Sequence, residues 1–179
     1  MTDKNAKSIN MTFRALYSYV MNTNYRSIAG ALGMFLSLGS IIILVIGWDG
    51  LLLRQKIIFM IIAFAFTVIN PVMLAVKTAS QLKKSPSYKK PLNYTFGDDG
   101  ILVSQDEISQ KITWENIYRI LLTSSMVAIY TGPVTAFVIP LSELGKDKGK
   151  ILSAVVQFTA AYKPRLSRNL RVYQTGKGL

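Results

Sequence analysis

The sequence predicts a membrane-spanning α-helical hairpin joined to an α+β domain, and three observations carry that prediction. Two apolar runs lie back to back within residues 28–76. A period-two alternation begins at Leu92 and supplies six short strands. A helical period with one apolar face returns after residue 147. Half of the 179 residues are hydrophobic, the mean hydropathy is +0.31, and charged residues make up only 17 %. Setting the hairpin aside leaves room for one small domain and its tails.

Residues 1–8 are polar and are expected to lack regular structure. From Ile9 onward, Ile9, Phe13, Leu16, Tyr17, Val20 and Met21 recur at helical spacing, with Arg14, Ser18 and Asn22 elsewhere around the wheel. Residues 1–27 therefore read as a tail followed by an amphipathic helix lying along an interface. A short strand joining the later domain is the alternative for residues 9–22.

The first apolar run, residues 28–48, holds no charge, and it matches the roughly 20 residues needed to cross a hydrocarbon core. A cleaved secretory signal would begin closer to the N-terminus and carry a shorter apolar core, so cleavage is not expected. Ala29, Gly33 and Ser37 recur every four residues along this run, a spacing that lets helix backbones approach closely in lipid. Such a stripe packs either on the second run of the same chain or on a second copy in a homodimer. The second run, residues 57–76, is apolar except for Thr67 and Asn70, and Asn70-Pro71 is expected to kink it, because proline lacks the backbone donor. Between the runs, residues 49–56 are too few to hold a domain, so the helices are antiparallel neighbours. A soluble protein of this size could not bury two all-round apolar helices. Tyr25 and Trp48 bracket the first run as interfacial anchors.

Residues 77–90 form a basic juxtamembrane linker carrying Lys77, Lys83, Lys84, Lys89 and Lys90 without an acid. Four basic residues precede the first run, five follow the second, and only Arg54 and Lys56 lie between. By the positive-inside rule both termini are cytoplasmic, in a multi-pass protein of the plasma membrane. The net charge of +12 is thus uneven: residues 91–162 carry more acid than base, while residues 163–179 add Lys163, Arg165, Arg168, Arg171 and Lys177 without an acid. A nucleic-acid-binding domain would concentrate positive charge on its own folded surface, so nucleic acid is not an expected partner.

The strands are read at 92–96, 101–105, 109–113, 117–123, 126–131 and 135–140, with turns at Gly97-Asp98-Asp99-Gly100, Asp106-Glu107, Ser124-Ser125 and Gly132-Pro133. They predict a meandering antiparallel sheet, curled or barrel-like, in a cytoplasmic domain of residues 91–162. Ile151, Leu152, Val155, Val156, Phe158 and Thr159 mark the helix that covers it. The tail, residues 163–179, has too little apolar surface to fold alone.

Several of these segments together carry a resemblance. Phe13-Arg14-x-Leu16-Tyr17, Thr67-Val68 with Asn70-Pro71, Lys83-Lys84-x-Pro86, Pro91 to Phe96 followed by Gly100-Ile101-x-Val103-Ser104-Gln105, Trp114-x-x-Ile117, and Ala136-Phe137-x-Ile139-Pro140 occur in this order. In them the chain resembles the YcxB-like family of small bacterial membrane proteins, over about residues 12–160. The resemblance implies two spans plus a cytoplasmic domain of pleckstrin-homology-like (PH-like) type, with six or seven antiparallel strands in a curled sheet capped by a C-terminal helix. It carries over no active-site residue.

With no Cys and no His, the chain lacks thiolate ligands and the commonest general base, so neither an enzyme, a metal nor a cofactor is expected. Asp98, Asp99, Asp106 and Glu107 suit hairpin turns better than a calcium site. Trp114 reads as a core anchor, with a partner pocket as the alternative. Lipid-headgroup contact is expected from Lys83, Lys84, Lys89, Lys90, Lys163, Arg165, Arg168 and Arg171 against an anionic inner leaflet. Helix packing is expected from Ala29, Gly33, Ser37, Asn70 and Pro71. Two functions fit: a non-catalytic membrane-tethered module binding a membrane protein, a peptide or lipid headgroups, or protection against a membrane-active peptide toxin.

Overall fold

A computed structural model of the chain describes residues 6–133 and 135–162. It divides into two compact units, one of Met1–Tyr19 with Leu82–Leu179 and the other of Val20–Gln81.

The second unit is the helical hairpin. It holds the C-terminal part of α1 (Phe13–Arg26), then α2 (Ile28–Ile46), α3 (Leu53–Phe64), a π-helical turn (Ala65–Ile69) and most of α4 (Asn70–Lys84). Ser27 separates α1 from α2: its hydroxyl donates to the Asn24 carbonyl at 2.6 Å and accepts from the Gly30 amide at 3.1 Å. One side chain thus closes one helix and caps the next. At the far end, Gln55 Oε1 accepts from the Leu52 amide at 2.9 Å as α3 begins, and the Lys56 ammonium lies 4.4 Å from the centre of the Trp48 ring. The segments 28–46 and 53–84 are both long and apolar enough to cross a membrane.

The first unit contains seven antiparallel strands in two sheets, without a closed barrel. The sheet of β1 (Ala6–Ile9), β2 (Leu92–Gly97), β3 (Gly100–Gln105) and β4 (Ile108–Thr113) is ordered as numbered; β5 (Arg119–Leu122), β6 (Met126–Tyr130) and β7 (Ala136–Pro140) form the second. The single meander read from the sequence is therefore corrected: a 3₁₀ turn at Trp114–Asn116 ends one sheet and the next begins at Arg119. The polar start of the chain is corrected too. Ala6–Ile9 pairs with β2, Ile9 opposite Leu92, and Ile9 is only 2 % exposed. The segment from residue 9 resolves into both alternatives, a strand ending at Ile9 and a helix beginning at Phe13. Thr12 accepts the Ala15 amide through its hydroxyl at 3.3 Å, which starts that helix.

Alternation builds the main core. Tyr94 and Phe96 of β2, Ile101 and Val103 of β3 and Ile112 of β4 meet Val127, Ile129 and Ile139 of the second sheet. Leu141 and Leu144 of a short helix α5 (Leu141–Leu144), with Val155 and Val156 of α6 (Lys148–Tyr162), complete it. The opposite face of the second sheet packs Met126, Ala128, Tyr130 and Val138 against Ala15 of α1. With both faces covered, β6 is buried throughout, and its sequence is a continuous apolar run instead of an alternation.

Tight turns fix the registers. Asp98-Asp99 joins β2 to β3, where Gly100 has φ +152° and a Cβ there would lie 2.1 Å from the Ile112 carbonyl oxygen. Asp106, with φ 52°, begins the two-residue turn into β4, a conformation that Asp tolerates better than most residues.

Candidate membrane and headgroup-contact surfaces

In the hairpin unit, 3.6-residue geometry selects which small residues pack. Gly30, Gly33, Ser37 and Ser40 are buried along α2, whereas Ala29 is exposed, so the stripe read as Ala29, Gly33 and Ser37 is shifted by one residue at its start. Gly33 lies against the Phe66 ring, and a Cβ would stand 2.0 Å from ring carbon Cε1. Ser37 donates to the Ala63 carbonyl at 2.7 Å, and that carbonyl also accepts from Thr67. The stripe therefore packs within the chain.

Asn70 and Pro71 sit where the expected disturbance occurs, but the helix continues through them. The π turn absorbs the proline: the Asn70 amide bonds the Ala65 carbonyl, five residues back. Continuing that spacing would require a donor on Pro71 for the Phe66 carbonyl. Tyr25 supplies it instead, through its hydroxyl at 2.8 Å, and beside it Asn70 Nδ2 donates to Asn24 Oδ1 at 3.0 Å. The position of Tyr25 beside the first apolar run predicts an interfacial anchor and gives no sign of this pairing. The signal available was the proline's missing donor together with a hydroxyl or amide one helix away.

In the sheet unit, Lys83 and Lys84 occupy the last turn of α4, and Lys89 and Lys90 follow a 3₁₀ turn at Pro86–Tyr88; all four are exposed. The linker is tied to the sheet. Gln105 Nε2 donates to the Ser87 carbonyl at 3.0 Å and to the Lys90 carbonyl at 2.9 Å, while Lys90 Nζ meets Asp106 at 2.8 Å. Burial raises the Tyr88 hydroxyl above its ordinary pKa. Lys163, Arg165, Arg168 and Arg171 lie outside the described residues.

Trp114 is a core residue and not a pocket: it is 1 % exposed, and its indole N–H donates to the Gly97 carbonyl at 3.0 Å. The turn carboxylates are dispersed into surface pairs, Asp99 with Lys111 at 3.3 Å and Asp106 with Lys90. Among the described residues no three His, Cys, Asp or Glu side chains gather as metal ligands do.

The architecture is that of a protein with two helices long and apolar enough to cross a membrane and a seven-stranded, two-sheet domain built around them in sequence. The family model described as YcxB-like protein matches residues 96–152, from the end of β2 into α6. The resemblance drawn from the sequence is thereby supported over that segment, where the chain is similar to the YcxB-like family. No curated protein and no solved structure matches the chain.

Proposed function

We propose that the protein is a non-catalytic, two-span integral membrane protein with both ends cytoplasmic. Its sheet unit acts as a PH-like module that binds a membrane protein, a peptide or lipid headgroups at the inner leaflet. The observation that carries this reading is the uncovered apolar surface of the hairpin. A core helix in a soluble protein is mostly buried, yet only 22 % and 11 % of the two apolar windows is buried, and Ile28 is 82 % exposed. A bilayer is the medium that accepts such a surface.

The charge asymmetry supports the orientation, and the exposed Lys83, Lys84, Lys89 and Lys90 support contact with anionic headgroups. Two sheets of four and three strands with a C-terminal helix packed into their core support the PH-like reading.

The test is single-cysteine accessibility in intact cells, for which the Cys-free chain is a ready background. Cysteine at Gly50 is expected to react with an impermeant reagent, and cysteine at Asn5 or Ser142 only after lysis. Labelling of Asn5 or Ser142 from outside overturns the orientation, and extraction of the protein by alkaline carbonate overturns the insertion.

A further inference from the structure

The geometry points to an anion site at Arg119 and Tyr130 that takes a phosphate group. The two residues are register partners at one end of the β5–β6 pair. The guanidinium carbon of Arg119 lies 3.9 Å from the centre of the Tyr130 ring, a cation–π contact. The Tyr19 ring packs against Tyr130 at 6.1 Å, tilted by 43°. That contact restrains the guanidinium before anything binds it.

One donor on each residue of this pair lacks an acceptor. Arg119 Nε is buried without a hydrogen-bond partner, and so is the Tyr130 hydroxyl. Buried donors are ordinarily satisfied, and a charged one most of all. The segment has acids to spare, yet the ion pairs among the described residues join Lys90 to Asp106 and Lys111 to Asp99, and none reaches Arg119. Two unsatisfied donors on cross-strand neighbours, one of them cationic, match an acceptor that brings several oxygens and negative charge. A water molecule would satisfy a donor but leave the charge uncompensated. A phosphate offers oxygens for a bidentate bond with the guanidinium and one more for a phenol. The phosphate could belong to a lipid headgroup or be free in solution, and the chemistry is the same. This site shares no residue with the lysine-rich linker and does not require the hairpin to be inserted, so it can fail or hold independently of the proposed insertion and orientation.

The experiment uses the full chain, labelled with ¹⁵N-arginine, in a maltoside detergent that contains no phosphate. Arg119→Lys identifies the Arg119 Nε–H resonance by its loss. Inorganic phosphate and phosphatidylglycerol are titrated separately, with sodium chloride at matched ionic strength as reference. A saturable shift with inorganic phosphate supports a site for free phosphate; a shift with phosphatidylglycerol alone supports a headgroup site. No shift with either, or the same shift with chloride, overturns the proposal. Thermal unfolding gives a second readout: the phosphate source that shifts the resonance should raise the midpoint, and Arg119→Lys, which keeps the charge but loses the fork, should weaken that effect at least tenfold. Equal affinity in Arg119→Lys overturns the site.

Discussion

The Tyr25 hydroxyl donates to the Phe66 carbonyl at 2.8 Å, and so replaces the backbone donor that Pro71 lacks. A proline inside an apolar helix leaves a carbonyl without a partner, and in a bilayer no water is at hand to take it. The π turn moves that orphan to Phe66, within reach of Tyr25 at the end of α1. Removal of the hydroxyl in Tyr25→Phe should destabilise the hairpin by about 1–3 kcal/mol, the penalty for a buried acceptor left unpaired. In a Pro71→Ala background, where residue 71 has its own N–H, the same change should cost much less. A double-mutant cycle by unfolding in detergent measures the coupling, and equal costs in both backgrounds would sink the assignment.

Gly33 and Ala29 differ in surroundings although both belong to the small-residue stripe visible in the sequence. At Gly33 a Cβ would enter the Phe66 ring, whereas Ala29 is exposed. Gly33→Val should therefore destabilise by about 1–3 kcal/mol through overpacking. Ala29→Val should stay within about 0.5 kcal/mol, as surface changes do. Thermal unfolding of both variants in the same detergent checks the contrast. Equal sensitivity would instead place Ala29 in an interface between copies.

Alkaline pH should loosen the sheet unit through Tyr94. Burial, with a smaller contribution from Tyr88, raises its hydroxyl well above the ordinary tyrosine value, and the hydroxyl has no hydrogen-bond partner. The folded state thus holds this proton more tightly than the unfolded chain does. Its contribution is complete below the ordinary tyrosine pKa of about 10 and is lost as pH rises from there toward the folded value, at about 1.4 kcal/mol per pH unit. Tyr94→Phe should unfold at similar denaturant concentration at pH 8 and resist better than wild type at pH 11. An identical alkaline loss in both proteins would assign the effect to other groups.

Most of the strand pattern was legible because the sheets alternate. Tyr94 and Phe96, or Ile101 and Val103, declare one buried face by spacing alone. What escaped notice depends on contacts distant in sequence. The four residues of β1 are too short and too polar to stand out, and only pairing with Leu92 to Thr95 gives them meaning. The division into two sheets hides for a related reason: β6 is buried on both faces, so its apolar run fits one curled sheet as well as two. In the hairpin the apolar runs were evident, but the phase of the packed stripe was not, because a four-residue spacing drifts off a 3.6-residue face. Arg119 offered no sequence signal, since its place on the Tyr130 ring follows from register.

The strand before the hairpin decides what an isolated sheet unit needs. Residues 91–162 contain six strands and the covering helix, but they lack β1, whose backbone pairs with β2 from Ala6↔Thr95 to Ile9↔Leu92. A fragment cut at residue 91 would expose that edge of β2, together with the core surface that Ile9 covers. It would also lose Ala15, which packs on Met126, Ala128 and Tyr130 behind the second sheet. An unpaired edge beside exposed core is an aggregation hazard, and losing a buried isoleucine forfeits about 2 kcal/mol or more. The fragment 91–162 should therefore express as an aggregating or loosely packed chain. Joining residues 6–19 to residues 82–162 through a flexible Gly/Ser linker in place of the hairpin should restore cooperative unfolding and a dispersed amide spectrum. Ile9→Asp in that linked protein should abolish the gain. If the bare 91–162 fragment unfolds as cooperatively as the linked one, β1 is dispensable and the sheet unit begins after the hairpin.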